Sequence, residues 1–246
     1  MTSARIALAG ILVLLAGVAG MVVIESQSKY KVYAPRTQPS ISNAQLANDQ
    51  AEFAGVIAFD DKWACPRIVG RLQAIQFGDR FFPLAYGLCL LAVALFVGSP
   101  VAPGLPAQPR AARIFAWITA AAVIATVIAD YRENSYTDPL LVNACTALPT
   151  PAALFTMRHA SFDKWAWLGS TMVFLALASL TAARTGAWYF TFTAIRALAA
   201  LLGGLSGILA WAIEEPRLVQ FELLGLTAAI LATLWQVADA FRRRGS

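Results

Sequence analysis

The chain has 246 residues, 59% of them hydrophobic and 13% charged, with a mean hydropathy of +0.62. A soluble domain carries about 25% charged residues, so this composition excludes an ordinary water-solvated globule and places lipid over much of the surface. The net charge of +5 forms no basic patch interleaved with aromatics, and nucleic acid is set aside as a partner.

A membrane span needs roughly 20 predominantly apolar residues, and a lone segment in hydrocarbon must satisfy its backbone internally, as a helix does. The first candidate is Ile6–Ile24. It follows Arg5 like a secretory signal, but its core exceeds the usual 7–15 residues and no small-residue cleavage site follows it, which predicts an uncleaved signal anchor. Next comes a polar stretch, Glu25–Ser40, expected to be extended. Ser42–Phe59 then has the pattern of an amphipathic helix, with Leu46, Phe53 and Ile57 on one side, lying on the membrane or capping the bundle. Pro66 suits the first turn of a helix that could run unbroken into the second span, Phe81–Val97.

The segment Gly98–Ala112 holds four prolines and two glycines and reads as an irregular connection. The third span is Ile114–Ala129. Tyr131–Lys164, with Pro139, Pro149 and Pro151, reads as a long lid loop. The fourth, fifth and sixth spans are Trp165–Ala183, Ala197–Ile213 and Leu218–Ala238. Gly203, Gly204, Ser206 and Gly207 supply small residues for close helix packing, and Trp188-Tyr189-Phe190 reads as an aromatic belt. The expected fold is all-α: a polytopic membrane bundle of six transmembrane helices with an outer amphipathic helix. Its divisions are the anchor helix 1–25, an extracytoplasmic segment 26–65, core helices 2–4 over 66–186 with the lid 131–164, and helices 5–6 with a basic tail over 187–246.

The charges sort by side. Arg242, Arg243 and Arg244 anchor the tail in the cytoplasm, and counting back through six spans puts both termini there. The inner segments then hold Arg5, Arg110, Arg113, Arg184, Arg196 and the tail arginines against one acid, Asp239. The outer segments hold the remaining eleven basic residues and thirteen acids. This positive-inside pattern fits a bacterial cytoplasmic (inner) membrane protein.

The outer ends of three spans carry the notable polar residues. Gln76, Asp79, Pro83 and Tyr86 share a helix face by spacing, and Pro83 removes the amide that would bond the Asp79 carbonyl. Asp130, Glu133 and Asn134 close the third span, and Lys164 opens the fourth. Acids at a helix C-terminus and a lysine at an N-terminus both oppose the helix dipole, and pairing relieves both. The expected cluster is Asp79, Tyr86, Asp130, Glu133, Asn134 and Lys164, either a ligand or catalytic pocket or a polar clamp between three helices. Cys65 and Cys145 fall on the outer side, where an oxidising compartment permits a disulfide. The single histidine, His159, excludes haem held by two histidines within this chain. The lack of a Cys-x-x-Cys pair also disfavours a zinc site, so neither metal nor cofactor is expected. Glu214, Glu215, Arg217 and Glu222 near the last outer turn are secondary candidates.

Asp-x-x-Phe-x-x-x-Tyr at 79–86, Asp-Tyr-x-Glu-Asn at 130–134 and Lys-Trp at 164–165 resemble motifs of a group of bacterial integral membrane proteins with no assigned activity. The likeness covers about residues 50–185. It implies that the six cluster residues belong together, and it implies no reaction.

Three function classes stay open. The first is an integral membrane protein that binds a lipid, a small amphiphile or a membrane-protein partner at its extracytoplasmic face. The second is an interfacial enzyme acting on a lipid-linked substrate through the Asp/Glu/Lys cluster. The third is a transporter or ion-coupled carrier, for which no inverted repeat or broken-helix pair speaks. The reading leans to the first.

Overall fold

The computed structural model describes residues 2–27, 41–99, 108–182 and 187–242. Among them the chain is all-helical, without strands: α1 (Thr2–Gln27), α2 (Ile41–Gln45), α3 (Gln50–Ile57), α4 (Ala64–Asp79), α5 (Phe82–Gly98), α6 (Arg110–Val142), α7 (Pro151–Thr181), α8 (Ala187–Ile213) and α9 (Arg217–Arg242). Five stretches are long and apolar enough to cross a membrane: Ser3–Val23, Ala64–Gly98, Arg110–Val142, Phe190–Ile213 and Arg217–Asp239. The fold class is thus an all-α polytopic bundle. The sixth expected span, in α7, is not among the five. Its first half carries Arg158, His159, Asp163 and Lys164, and its second half is diluted by Gly169, Ser170 and Thr171.

Four local expectations need correction. The single amphipathic helix over 42–59 is two helices, α2 and α3. Asp49 interrupts it, because its carboxylate accepts from the Glu52 amide at 2.8 Å and caps α3, while Glu52 reaches back to the Asn48 amide at 2.9 Å. The unbroken helix from Pro66 into the second span is broken at Arg80–Phe81, one turn before Pro83, where the missing proline amide is felt. The lid loop 131–164 is mostly helix: α6 runs on to Val142 through Pro139, and α7 begins at Pro151. Pro151 occupies the first helical position, where no amide is needed, and the Thr150 hydroxyl accepts from the Ala153 amide at 3.2 Å. Fourth, α1 reaches Gln27, past the expected end of the span. The rest of the expected extended stretch (28–40), most of the 98–112 connection, Arg184 and the tail arginines beyond Arg242 lie outside the described residues.

The chain forms two compact units. The first comprises residues 1–15, 84–127 and 165–246. Its helices approach through small residues: a Cβ added at Gly225 would stand 2.6 Å from the Gly203 Cα, and one at Gly207 would collide with the Glu222 carboxylate. Glu222 is fully buried there. Buried Arg196 donates to Ser179 Oγ at 2.9 Å and to Gln236, whose amide donates to Thr193 at 2.8 Å.

The second unit comprises residues 16–83 and 128–164. Three helical stripes define it. On α4 the buried positions are Cys65, Ile68, Val69, Leu72 and Gln76. On α6 they include Asp130, Glu133, Asn134, Thr137 and Leu141, and on α7 Leu154, Met157, Ser161 and Lys164. Each follows the three-and-four spacing of one helix face. The stripes stack in layers. At one end Cys65 and Cys145 form a disulfide with Cα atoms 5.8 Å apart. An apolar layer follows, in which Ile68, Leu72, Leu141, Leu154 and Met157 pack with Phe53 and Ile57 of α3. The polar residues form the last layer. The Asp61 carboxylate accepts from the Trp63 and Ala64 amides in the turn leading into α4, which holds its pKa below the usual carboxylate value.

The disulfide closes a loop of 80 residues, which by chain entropy stabilises the second unit by about 4 kcal/mol. Reduction, or Cys65→Ser, is expected to increase proteolysis within residues 41–83 and 128–164 before the first unit is cut. Equal protection with and without reductant would contradict this.

Candidate functional site

Five of the six expected cluster residues lie together in the second unit. Lys164 pairs with Glu133 and stands 3.9 Å from Asp130. Their side chains are 11%, 0% and 5% exposed, so the group is removed from water. Asp79, at the end of α4, is within electrostatic range of Lys164, Asp130, Glu133 and the Asn134 amide. Asn134 accepts from Gln76 Nε2 at 2.6 Å, which ties α4 to α6. Tyr86 belongs to the other unit, where it is buried on α5.

Helix dipoles do not drive this pairing, contrary to expectation. Glu133 sits nine residues before the end of α6, and Lys164 thirteen residues into α7. At mid-helix the end dipoles are negligible. Burial drives the pairing instead, because a desolvated ion without a partner is strongly disfavoured.

Ser161 is the residue the sequence reading missed. Its hydroxyl donates to Glu133, and it is fully buried. It precedes Lys164 by three residues and shares its helix face. That spacing carries meaning only on a helix, and reading 131–164 as a loop concealed it. A hydroxyl, a carboxylate and an ammonium in contact can move a proton or hold α6 and α7 in register. Around this core lie two more exposed pairs, Arg132–Asp163 at 3.7 Å and Arg80–Asp138 at 2.6 Å. No group of three or more His, Cys, Asp or Glu side chains among the described residues is placed to hold a metal ion.

The secondary candidates separate. Glu215 faces Arg217 at 4.0 Å in an exposed turn, while Glu222 is buried against Gly207. His159 is exposed and packs edge-on against Phe155, ring centroids 4.4 Å apart. Phe190 is exposed; the side chains of Trp188 and Tyr189 lie outside the described residues.

A surface groove lies on the flank of α4 and α6, lined by none of the cluster residues. Gln73 and Phe77 on α4, with Arg80 just past its end, face Asp138, Leu141 and Val142 on α6 across an open groove of about 250 Å³. Gln73 donates to the Leu141 carbonyl at 3.0 Å, which fixes the spacing of the walls. Phe77 and Val142 are 55% and 67% exposed, and Leu141 is the buried floor.

No protein-family model, curated protein or solved structure matches the chain.

Breaking a buried ion pair costs about 3–5 kcal/mol. Lys164→Ala is therefore expected to lower thermal stability strongly in detergent. Glu133→Gln in that background should recover more of the loss than Asp130→Asn, because Lys164 lies closer to Glu133. Losses that simply add in a double-mutant cycle would show that the groups do not interact.

Proposed function

We propose that the chain is a multi-pass protein of the bacterial cytoplasmic membrane, with both termini cytoplasmic, whose extracytoplasmic helices bind a lipid, a small amphiphile or a membrane-protein partner. The observation that carries this reading is the groove between α4 and α6. It combines an apolar floor, exposed Phe77 and Val142, and one charge of each sign at its rim. Such a surface suits a molecule with an apolar body and a polar end. The Cys65–Cys145 bond supports an oxidising compartment for this unit, and the inner arginines support the orientation.

A second reading, an interfacial enzyme, is favoured by one contact. Ser161 donating to Glu133 beside Lys164 pairs a hydroxyl with a base. All three are buried, so a substrate would need the layer to open. Labelling of Ser161 by a serine-directed fluorophosphonate in native membranes would support the enzyme; an unlabelled Ser161 under those conditions favours the binding reading.

Protein extracted in a native-lipid polymer disc and examined by mass spectrometry is expected to retain a stoichiometric amphiphile or protein, and Phe77→Arg is expected to release it. If wild type and variant retain the same complement, the groove is not a binding surface. Cysteine-labelling of introduced residues at 3 and 245 from the periplasmic side should fail at both. Labelling at one terminus would mean an odd number of crossings and overturn the orientation.

A further inference from the structure

We infer that the α4–α6 groove takes the head group of a zwitterionic aminophospholipid, its phosphate on Arg80 and its primary ammonium on Asp138; this rests on the binding reading above and names the ligand class.

The groove carries one guanidinium and one carboxylate, joined at 2.6 Å. Their side chains are 53% and 32% exposed, and a pair this open to solvent is weakly held. A phosphate offers the planar guanidinium two oxygens for a bidentate contact. An ammonium offers Asp138 three donors. Binding thus exchanges one solvent-exposed pair for two charge-assisted ones with no net charge left over. An anionic head group without an amine would satisfy Arg80 and face Asp138 with like charge. A quaternary head group has the charge but no N–H to donate.

The apolar side of the groove fits the rest of the lipid. Phe77 and Phe81 are 55% and 63% exposed, with ring centroids 6.0 Å apart. Together with Val142 they give the glycerol and the first acyl carbons an aromatic surface. Both walls belong to stretches apolar enough to cross a membrane, and Val142 is the last residue of one of them. The volume, about 250 Å³, is below the roughly 300–1,000 Å³ of pockets for drug-sized ligands. That suits a head group whose chains stay in the bilayer.

The test is native mass spectrometry of the detergent-solubilised full chain titrated with dihexanoyl phosphatidylethanolamine, phosphatidylcholine and phosphatidylglycerol. Wild type is expected to bind the ethanolamine lipid about tenfold more tightly than either other, as loss of one charge-assisted hydrogen bond implies. Asp138→Asn should erase the preference for ethanolamine over choline and strengthen glycerol binding. Arg80→Gln should weaken all three about tenfold. Both side chains are partly or largely exposed, so unchanged melting and an intact disulfide on non-reducing gels are expected and serve as the folding control. Equal binding of ethanolamine and choline lipids, or tightest binding of the glycerol lipid, overturns the head-group assignment. If Phe77→Arg abolishes binding of the lipid that does bind, the groove reading survives that result. If Phe77→Arg changes nothing, or if only a co-purified protein responds to it, the lipid site itself is refuted.

Discussion

The second unit depends on one constraint: the ammonium of Lys164 is out of water and must be answered there. Glu133 and Asp130 answer it from α6, and Asp79 adds a third carboxylate from α4. Three helices that could slide along one another are thereby held in one register. The Gln76–Asn134 bond and the Ser161–Glu133 bond fix the same register by geometry rather than by charge. Van der Waals packing of apolar stripes alone would tolerate a shift by one turn; a polar layer would not, because the shift would strand buried hydrogen-bonding groups.

The layers divide the labour. The apolar layer of Ile68, Leu72, Leu141 and Met157, closed by Phe53 and Ile57 of α3, supplies burial. The disulfide at one end limits the unfolded chain. The polar layer at the other end specifies alignment. The flank of α4 beside the stripe carries Gln73 and Phe77, with Arg80 just past its end.

Much of the bundle was legible in the chain because spans announce themselves by length and hydropathy. Five expected spans recur as long apolar helices, and the polar cluster was visible because charges beside apolar runs are conspicuous. Where helices are rich in polar residues, that signal vanishes. Over 131–164 the polar residues and Pro139, Pro149 and Pro151 imitate a loop, although one proline lies on an exposed helix face and another starts a helix. Ser161 was lost with that misreading. The Arg80–Asp138 pair joins residues 58 apart, and no local spacing brings them together. The same dilution by Arg158, Asp163, Lys164 and small polar residues leaves α7 short of the hydropathy that marked the other spans.

The contact of Glu222 with Gly207 bears on how α9 accommodates an acid. Alone, α9 would present a naked carboxylate one turn into an apolar helix, where hydrocarbon disfavours it. Zipped to α8 through Gly203 and Gly225, it presents that group to a neighbouring backbone rather than to acyl chains. Its close approach to α8 therefore lets α9 keep an acid that a lone apolar helix would be expected to exclude.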